Sequence, residues 1–200
     1  KSHLFEEDGG INQDVQRLLD AGYQVISTDA FLTGESKDSK IGYSRPVDEK
    51  YSGYTYGYNA PTLVERVRDL NLFMPTSPKE GEVIIVGTGD AGIWTLLAAS
   101  TDHANINFDR LVVNLDGFTF ADIEKTSDPN YLPGAVRYGD IGGFGMLANP
   151  QNLLVVGGVA EKSQTAQLLK LGTPGQNGKL RIESKTLSRK QIVDLILKAE

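Results

Sequence analysis

Apolar residues along this chain fall into two kinds of segment that alternate with each other. Short, nearly continuous apolar runs rich in valine, isoleucine and leucine predict five β-strands, at 23–28, 83–86, 110–116, 152–157 and 179–184. Segments with apolar residues at helical spacing predict helices at 11–21, from Pro61 onward, at 93–100, at 160–171 and after Ser188. Alternating strands and helices, with strands apolar on both sides, are typical of a mostly parallel sheet covered by helices on both faces. The sequence therefore predicts the α/β fold class.

Two stretches, 36–60 and 117–150, show neither pattern and are predicted to be irregular. The first is polar and rich in tyrosine, and loops of this length in a compact domain are usually functional or mobile. Its rings could stack on a sugar or an aromatic ligand, or they could cover the edge of the sheet. The second interpretation is favoured for this set, which comprises Tyr43, Tyr51, Tyr54, Tyr56 and Tyr58.

A turn with three glycines follows the strand at 83–86 and leads directly into a helix. Gly87, Gly89 and Gly92 satisfy the dinucleotide-binding fingerprint, and Asp116 ends the next strand, where an acid could reach a ribose. A strand, a sharp turn and a helix are also typical of a nucleophile elbow. In that alignment Gly89 takes the nucleophile position, or Asp90 does if the pattern slips by one residue. The third interpretation is a turn that only allows close packing; the elbow is favoured among the three.

Bulk properties narrow the classes of function. The chain has 200 residues, 40% of them hydrophobic, with a formal net charge of −6 and no basic stripe, which argues against nucleic acid as a partner. It has no cysteine, so thiol catalysis, disulfides and thiolate metal sites are excluded. No apolar run approaches the roughly 20 residues that a membrane span needs. Two histidines a hundred residues apart give no metal-ligand spacing, and no cofactor is expected.

Several carboxylates follow predicted strands or begin loops. In open α/β sheets, ligands bind outside the carboxyl ends of the strands, so these side chains are candidates for a shared site. Carboxylates in such places also serve commonly as caps, which keeps a structural role open. The set comprises Asp29, Glu35, Asp90, Asp116 and Asp140.

Several short motifs resemble a known family in chain order. Asp29-x-Phe31-x-x-Gly34-x-Ser36 resembles the loop of α/β-hydrolases that follows a strand. Together with the glycine turn, the segments 56–59, 65–69, 132–134 and 138–140 look like bacterial acetyl-xylan-esterase-like hydrolases over most of residues 1–160. This resemblance implies an α/β-hydrolase fold, a Ser-Asp-His triad, a carbohydrate or small-ester ligand, and an exported or periplasmic location.

The chain departs from that family at the residues that carry the chemistry. Gly89 stands at the position of the serine, and Glu161 is the nearest carboxylate to the position of the acid. No histidine follows the last predicted strand; the two in the chain are His3 and His103. A serine nucleophile needs an adjacent base, so the sequence predicts a catalytically degenerate domain with a binding or structural role, whose partners are a carbohydrate or small ester or other protein chains. The alternatives are an ester hydrolase with Asp90 as nucleophile and a dinucleotide-binding protein that uses Gly87, Gly89 and Gly92.

The resemblance also predicts a missing strand. A hydrolase sheet has a strand between those at 23–28 and 83–86, and the chain offers none for this place. We therefore expect residues 1–200 to form a single, truncated α/β-hydrolase-like domain of a longer chain. A strand from before Lys1 or from a neighbouring chain would fill the gap, because unpaired backbone groups are costly. Direct pairing of Val25 or Ile26 with Ile84 or Ile85 would instead indicate a self-contained five-stranded sheet.

Overall fold

The central feature of the fold is a parallel β-sheet. The computed structural model describes residues 4–6, 8–74, 81–101, 108–148, 152–172 and 179–198. In this part of the chain four strands lie in chain order and all run parallel. They are Ile84–Gly87 (β1), Arg110–Asn114 (β2), Leu153–Gly157 (β3) and Lys179–Glu183 (β4). The predicted α/β class and the parallel sheet are confirmed.

The predicted helices are also present, with small shifts at their ends. They are Gln13–Asp20 (α1), Ser52–Tyr58 (α2), Thr62–Phe73 (α3), Asp90–Thr101 (α4), Asp140–Leu147 (α5), Gln164–Gly172 (α6) and Arg189–Leu197 (α7); α2 and α5 are additions to the prediction. Ser188 and Gln191 form a capping box at the start of α7. Over the described ranges, no helix has the length and apolar character needed to cross a bilayer.

The sheet separates two apolar clusters, one on each face. Leu111 and Val113 of β2 belong to a cluster with α3, α4 and α5, whereas Val112 belongs to a cluster with α7. Alternate residues of a strand point to opposite faces, so the apolar centre of β2, residues 111–113, fits a sheet covered on both sides. All five residues of β2 are buried. Helices therefore cover both faces of β2, as the pattern predicts.

The segment 23–28, predicted as a strand, is not one in the structure. It belongs to no helix or strand, it pairs with no strand among the described residues, and Ile26 is 58% exposed. The alternative pairing of Val25 or Ile26 with β1 is absent as well, since β1 pairs only with β2 within the described residues. The apolar run was correctly located, but a strand requires a neighbour for its backbone groups, and this segment has none there. The expectation of a strand before Lys1 stays a prediction.

Two helices lie in stretches predicted to be irregular. Helix α5 carries three glycines, which lower helix propensity by about 1 kcal/mol each. Their reason is tertiary: a Cβ on Gly142 would lie 2.6 Å from the Cβ of Leu168, and one on Gly145 would overlap the side chain of Leu169. Close contact with α6 therefore requires Gly142 and Gly145, while a Cβ on Gly143 would overlap the Tyr138 carbonyl oxygen. These three glycines lower the helical signal of α5 in the sequence.

Helix α2 and the turn before it pack against the loop around Thr126. The Glu49 carboxylate accepts hydrogen bonds from the backbone N–H of Ser127 (2.8 Å) and from the N–H (3.0 Å) and hydroxyl (2.6 Å) of Thr126. The Tyr56 hydroxyl donates to the Thr126 carbonyl. The tyrosines do not all cover the sheet edge as favoured above, because Tyr54 and Tyr58 are 72% and 78% exposed.

The Glu49 contacts predict an acid-sensitive link between these two loops. Hydrogen bonds from Ser127 and then Thr126 lower the pKa of Glu49 to about 2. A carboxylate with a lowered folded-state pKa adds stability above its unfolded pKa, and this contribution disappears as pH falls through the folded value. We expect Glu49→Gln to remove the part of the acid destabilisation that occurs between about pH 4.5 and pH 2.

Urea midpoints of the wild type and of Glu49→Gln, measured at pH 6 and at several values down to pH 2, test this expectation. Glu161→Gln is the matched control, because Glu161 lies exposed in a turn and takes part in none of these bonds. Parallel loss of stability in the wild type and in Glu49→Gln would contradict the assignment.

Candidate functional site

The glycine turn after β1 has the geometry of a sharp strand-to-helix turn. Strand β1 ends at Gly87, α4 begins at Asp90, and only Thr88 and Gly89 separate them. Gly89 has a φ of 57°, in the left-handed region that L-residues adopt at a cost. A Cβ built on Gly89 would meet no atom within 4 Å. A side chain at this position would therefore extend into open space above the sheet, as the side chain of an elbow nucleophile does.

The other two glycines of the turn have a packing role. A Cβ on Gly92 would overlap the carbonyl oxygen of Asn114 in β2, and one on Gly87 would lie 2.6 Å from both the Ala91 carbonyl and the Thr95 hydroxyl. Close contact between α4 and the sheet thus accounts for Gly87 and Gly92. Ligand binding by Gly87, Gly89 or Gly92 stays a prediction.

Asp90 lies exposed in the first turn of α4, next to the turn. A negative charge there is favoured by the unpaired N–H groups at the start of the helix. The Tyr43 hydroxyl donates a 2.6 Å hydrogen bond to Oδ2 of Asp90. Partial burial, followed by this bond to a carboxylate, raises the pKa of Tyr43. Tyr43 therefore stays a neutral donor to the Asp90 carboxylate at physiological pH.

A buried arginine contacts Tyr43 and so helps to position the Tyr43–Asp90 pair. Arg66 of α3 is 0% exposed, and its guanidinium lies between the rings of Tyr43 (4.1 Å) and Trp94 (4.4 Å). Its Nε donates to the Phe31 carbonyl at 3.2 Å, and its Nη2 donates to the Tyr43 carbonyl at 2.5 Å. Among the described residues, no hydrogen-bond partner is present for its Nη1. Burial lowers the pKa of Arg66, while Tyr43 and Asp90 oppose that shift.

Arg66 lies in the segment 65–69 and was not singled out from the sequence. The positions 63, 66, 67 and 70 form an i, i+3, i+4, i+7 stripe, which places Arg66 on the buried side of α3 beside Leu63 and Val67. The helical spacing of these residues could therefore have indicated that Arg66 is buried. The charge of the side chain hid it, because buried arginines are rare unless they are paired. Tyr43 gave no comparable signal among the other tyrosines.

Asp116 and Asp140 each hold a different loop. Asp140 accepts hydrogen bonds from the Thr119 hydroxyl (2.6 Å) and from the backbone N–H groups of Phe120 (2.9 Å) and Ala121 (3.0 Å). Asp116 accepts a 2.6 Å bond from the Thr186 hydroxyl. Both residues have positive φ, 52° for Asp116 and 54° for Asp140. Through these bonds both carboxylates stabilise loops. A role in binding a ligand stays a prediction for each.

The carboxylates named from the sequence do not assemble into a metal site. Within the described ranges, no group of three or more histidine, cysteine, aspartate or glutamate side chains could hold a metal ion. Asp29 accepts a bond from the Glu35 backbone N–H, and so shapes its own loop. Glu161 is exposed in the turn between β3 and α6. His3 and His103 lie outside the described residues.

Comparisons with protein-family models, with curated proteins and with solved structures found no match to this chain. The four parallel strands found in the described residues, together with the helices around them, define an α/β domain.

Proposed function

We propose that this chain is an α/β-hydrolase-like domain that binds a small ester or an acylated carbohydrate at the carboxyl edge of its sheet without hydrolysing it. The observation that carries the proposal is Gly89. The turn keeps a left-handed residue at the place of an elbow nucleophile and open space above it, but that residue has no side chain. Residues 184–200, which follow β4, also contain no histidine, and in a hydrolase of this kind the histidine base comes after the nucleophile and the acid in chain order.

A dinucleotide site is less well supported by the same turn. The fingerprint requires a tight helix–strand contact at its third glycine, and Gly92 provides one. The pyrophosphate, however, must lie at the start of the helix, where it is stabilised by N–H groups. Asp90 occupies the first turn of α4 with a carboxylate, which would repel a pyrophosphate there.

An active hydrolase with Asp90 as nucleophile is the second candidate. The observation in its favour is that Asp90 is exposed beside the turn and is oriented by the Tyr43 hydroxyl. Attack by a carboxylate on an ester carbonyl would form an anhydride with the enzyme and release an alcohol, and water activated by a base would then have to cleave that anhydride. The base would have to be His3 or His103, and both lie outside the described residues.

Hydrolysis of p-nitrophenyl acetate separates these two candidates. We expect the wild type and Asp90→Asn to release p-nitrophenol at the rate of a buffer blank that contains an equal mass of heat-denatured protein. Turnover by the wild type that disappears in Asp90→Asn, with unchanged thermal stability, would replace the binding proposal by the hydrolase. Turnover that survives in Asp90→Asn would contradict both candidates.

Binding can be followed through the one tryptophan of the chain. Trp94 contacts Arg66, which in turn contacts Tyr43, so a ligand bound above the turn should change its fluorescence. We expect a saturable change on titration with an acetylated xylo-oligosaccharide and none with NAD. The deacetylated oligosaccharide tests whether the acyl group is recognised. Saturation by NAD would favour the dinucleotide site, and no response to either acetylated sugar or a simple ester would contradict the binding proposal.

A further inference from the structure

The outward face of α2 carries two aromatic rings. In this helix Gly53, Tyr54, Gly57 and Tyr58 are exposed, whereas positions 52, 55 and 56 are partly buried. Tyr54 and Tyr58 are 72% and 78% exposed, although a surface helix usually turns its polar side chains to the solvent and its apolar ones to the core. Covering these rings with a ligand would remove apolar surface from water, which favours binding.

The two rings form a pair with a defined geometry. They lie one helical turn apart, their centroids are 5.0 Å from each other, and their planes are tilted by 50°. A single flat ligand cannot lie against both planes at once. Two neighbouring sugar rings can, because the glycosidic bond between them rotates. Tyr51 is not part of the pair, since the Lys50 ammonium lies over its ring, 5.3 Å from the centroid.

Helix α2, which presents the pair, is fixed at its inner face and at its end. The Tyr56 hydroxyl donates to the Thr126 carbonyl, and the Tyr56 ring lies 5.3 Å from the ring of Tyr131, centroid to centroid. The backbone N–H and the side-chain amide of Asn59 both donate to the Thr55 carbonyl at 3.0 Å. The helix is therefore in place before a ligand binds, which lowers the entropy cost of binding.

The composition of this surface argues against three kinds of macromolecular partner. Residues 51–59 contain no charged residue and no alanine, valine, leucine, isoleucine or methionine. A nucleic acid would require cationic side chains for its phosphates, and a membrane surface would require basic residues beside aliphatic ones. A stable protein interface would require a wider apolar core than two rings. The surface therefore fits a small, uncharged partner.

A sugar chain can use each feature of the surface. The C–H groups on the face of a sugar ring carry a partial positive charge, and the face of an aromatic ring is negative. The tyrosine hydroxyls can exchange hydrogen bonds with sugar hydroxyls. A Cβ on Gly53 or Gly57 would meet no atom within 4 Å, so the helix surface beside each ring is open to the rest of the sugar.

The tyrosine pair lies beside the segment that reaches the glycine turn. The Ala60 carbonyl, two residues after α2, accepts a 3.3 Å hydrogen bond from the Arg45 guanidinium, and the Arg45 backbone N–H donates to the Thr62 hydroxyl at 3.3 Å. Tyr43, two residues before Arg45, donates to Asp90. The end of α2 is thus connected to Asp90 through residues 43–45, and one ligand can account for both places.

We propose that Tyr54 and Tyr58 stack against two neighbouring rings of an uncharged oligosaccharide, the sugar part of the ligand at the glycine turn. For the class of ligand this inference rests on the proposed function, whereas the stacking site follows from the exposure, tilt and neutrality of α2. The pair selects a sugar chain over a small ester, which contacts the turn alone.

Xylohexaose, a sugar chain without acyl groups, is the probe for the tyrosine pair in calorimetric titration of the full chain. We expect saturable binding that Tyr54→Ala and Tyr58→Ala each weaken about tenfold, because each removes one stacked ring. Tyr54→Phe keeps the ring and should weaken binding less than about threefold. Tyr138→Ala is the matched control with an equally small effect, since Tyr138 is 74% exposed but lies outside α2.

These variants should keep the wild-type fold, because the replaced side chains are exposed and alanine favours a helix. A second measurement needs the wild type alone. During titration with xylohexaose, the ring-proton NMR signals of Tyr54 and Tyr58 should shift, and those of Tyr138 should not. Unchanged signals of Tyr54 and Tyr58 at saturation would overturn the proposal.

Acetylated xylose, followed by Trp94 fluorescence, tests the glycine turn independently. A Trp94 response to acetylated xylose, together with unchanged xylohexaose binding in Tyr54→Ala and Tyr58→Ala, would overturn the stacking site and leave the proposed function standing. Weaker xylohexaose binding in these two variants, without a Trp94 response to any ester, would support the stacking site and contradict the proposed function.

Two further results would overturn the stacking site. One is the absence of saturable xylohexaose binding by the wild type. The other is a dimer of the chain, seen by light scattering, that Tyr58→Ala dissociates, since a second copy would then cover the pair.

Discussion

Gly92→Ala is expected to lower the free energy of unfolding by roughly 3 kcal/mol, at the upper end of the cost of overpacking. The added methyl group would overlap the Asn114 carbonyl oxygen, which is backbone and cannot rotate away. Asn114 itself is fixed, because its side chain exchanges hydrogen bonds with the backbone of Leu187, at 2.8 Å and 2.9 Å. Helix α4 would have to move away from β2 as a whole.

Urea unfolding at pH 7, followed by circular dichroism, measures this loss. Gly53→Ala is the matched control, since a Cβ on Gly53 in α2 would meet no atom within 4 Å and its φ is not in the left-handed region. We expect Gly53→Ala to be neutral or to stabilise by about 0.5 kcal/mol through lower backbone entropy of the unfolded chain. Equal effects of the two substitutions would show that the contact between α4 and β2 is looser than described.

Arg66→Ala is expected to lower the free energy of unfolding by about 3 kcal/mol as well. The substitution removes two charge-assisted hydrogen bonds and two ring contacts, and it leaves the carbonyl groups of Phe31 and Tyr43 without their donors. Arg68→Ala, two residues further along α3, should change stability by less than about 0.5 kcal/mol because its side chain is 61% exposed.

Arg66→Met separates the hydrogen bonds from the volume of the side chain. Methionine fills much of the same space but donates nothing, so a loss close to that of Arg66→Ala assigns the effect to the two carbonyl groups. Full retention of stability in Arg66→Met would instead assign it to packing. In both variants the Trp94 emission spectrum should shift, since the guanidinium leaves one face of the indole.

The sheet could be predicted from the sequence because its strands bury both faces. Residues such as Val112 and Val155 lie in apolar runs that fit no other element, and helix caps such as Ser188 fix the elements beside them. The segment 23–28 has the same local pattern, but pairing is a property of the neighbour and not of the run itself. A local pattern therefore located the segment and could not determine its partner.

The candidate site was predictable only in part. The glycine spacing identified the turn after β1. The structure adds that Gly92 is required for close packing on β2, whereas no packing contact requires Gly89. The Arg66–Tyr43–Asp90 arrangement joins residues far apart in the chain through a buried charge, and burial of a charge depends on tertiary contacts that no local period encodes. Helix α5 was missed for a related reason, since its glycines are needed by α6.

The order of the strands has a consequence for how the chain folds during synthesis. Because β1, β2, β3 and β4 are neighbours in the sheet in the same order as in the chain, each strand pairs with one that has already left the ribosome. The entropy cost of loop closure then arises for one crossover at a time, and none of these four strands pairs with a strand that is distant in the chain. The sheet can grow vectorially from β1 to β4, each new strand covering the edge that the previous one exposed.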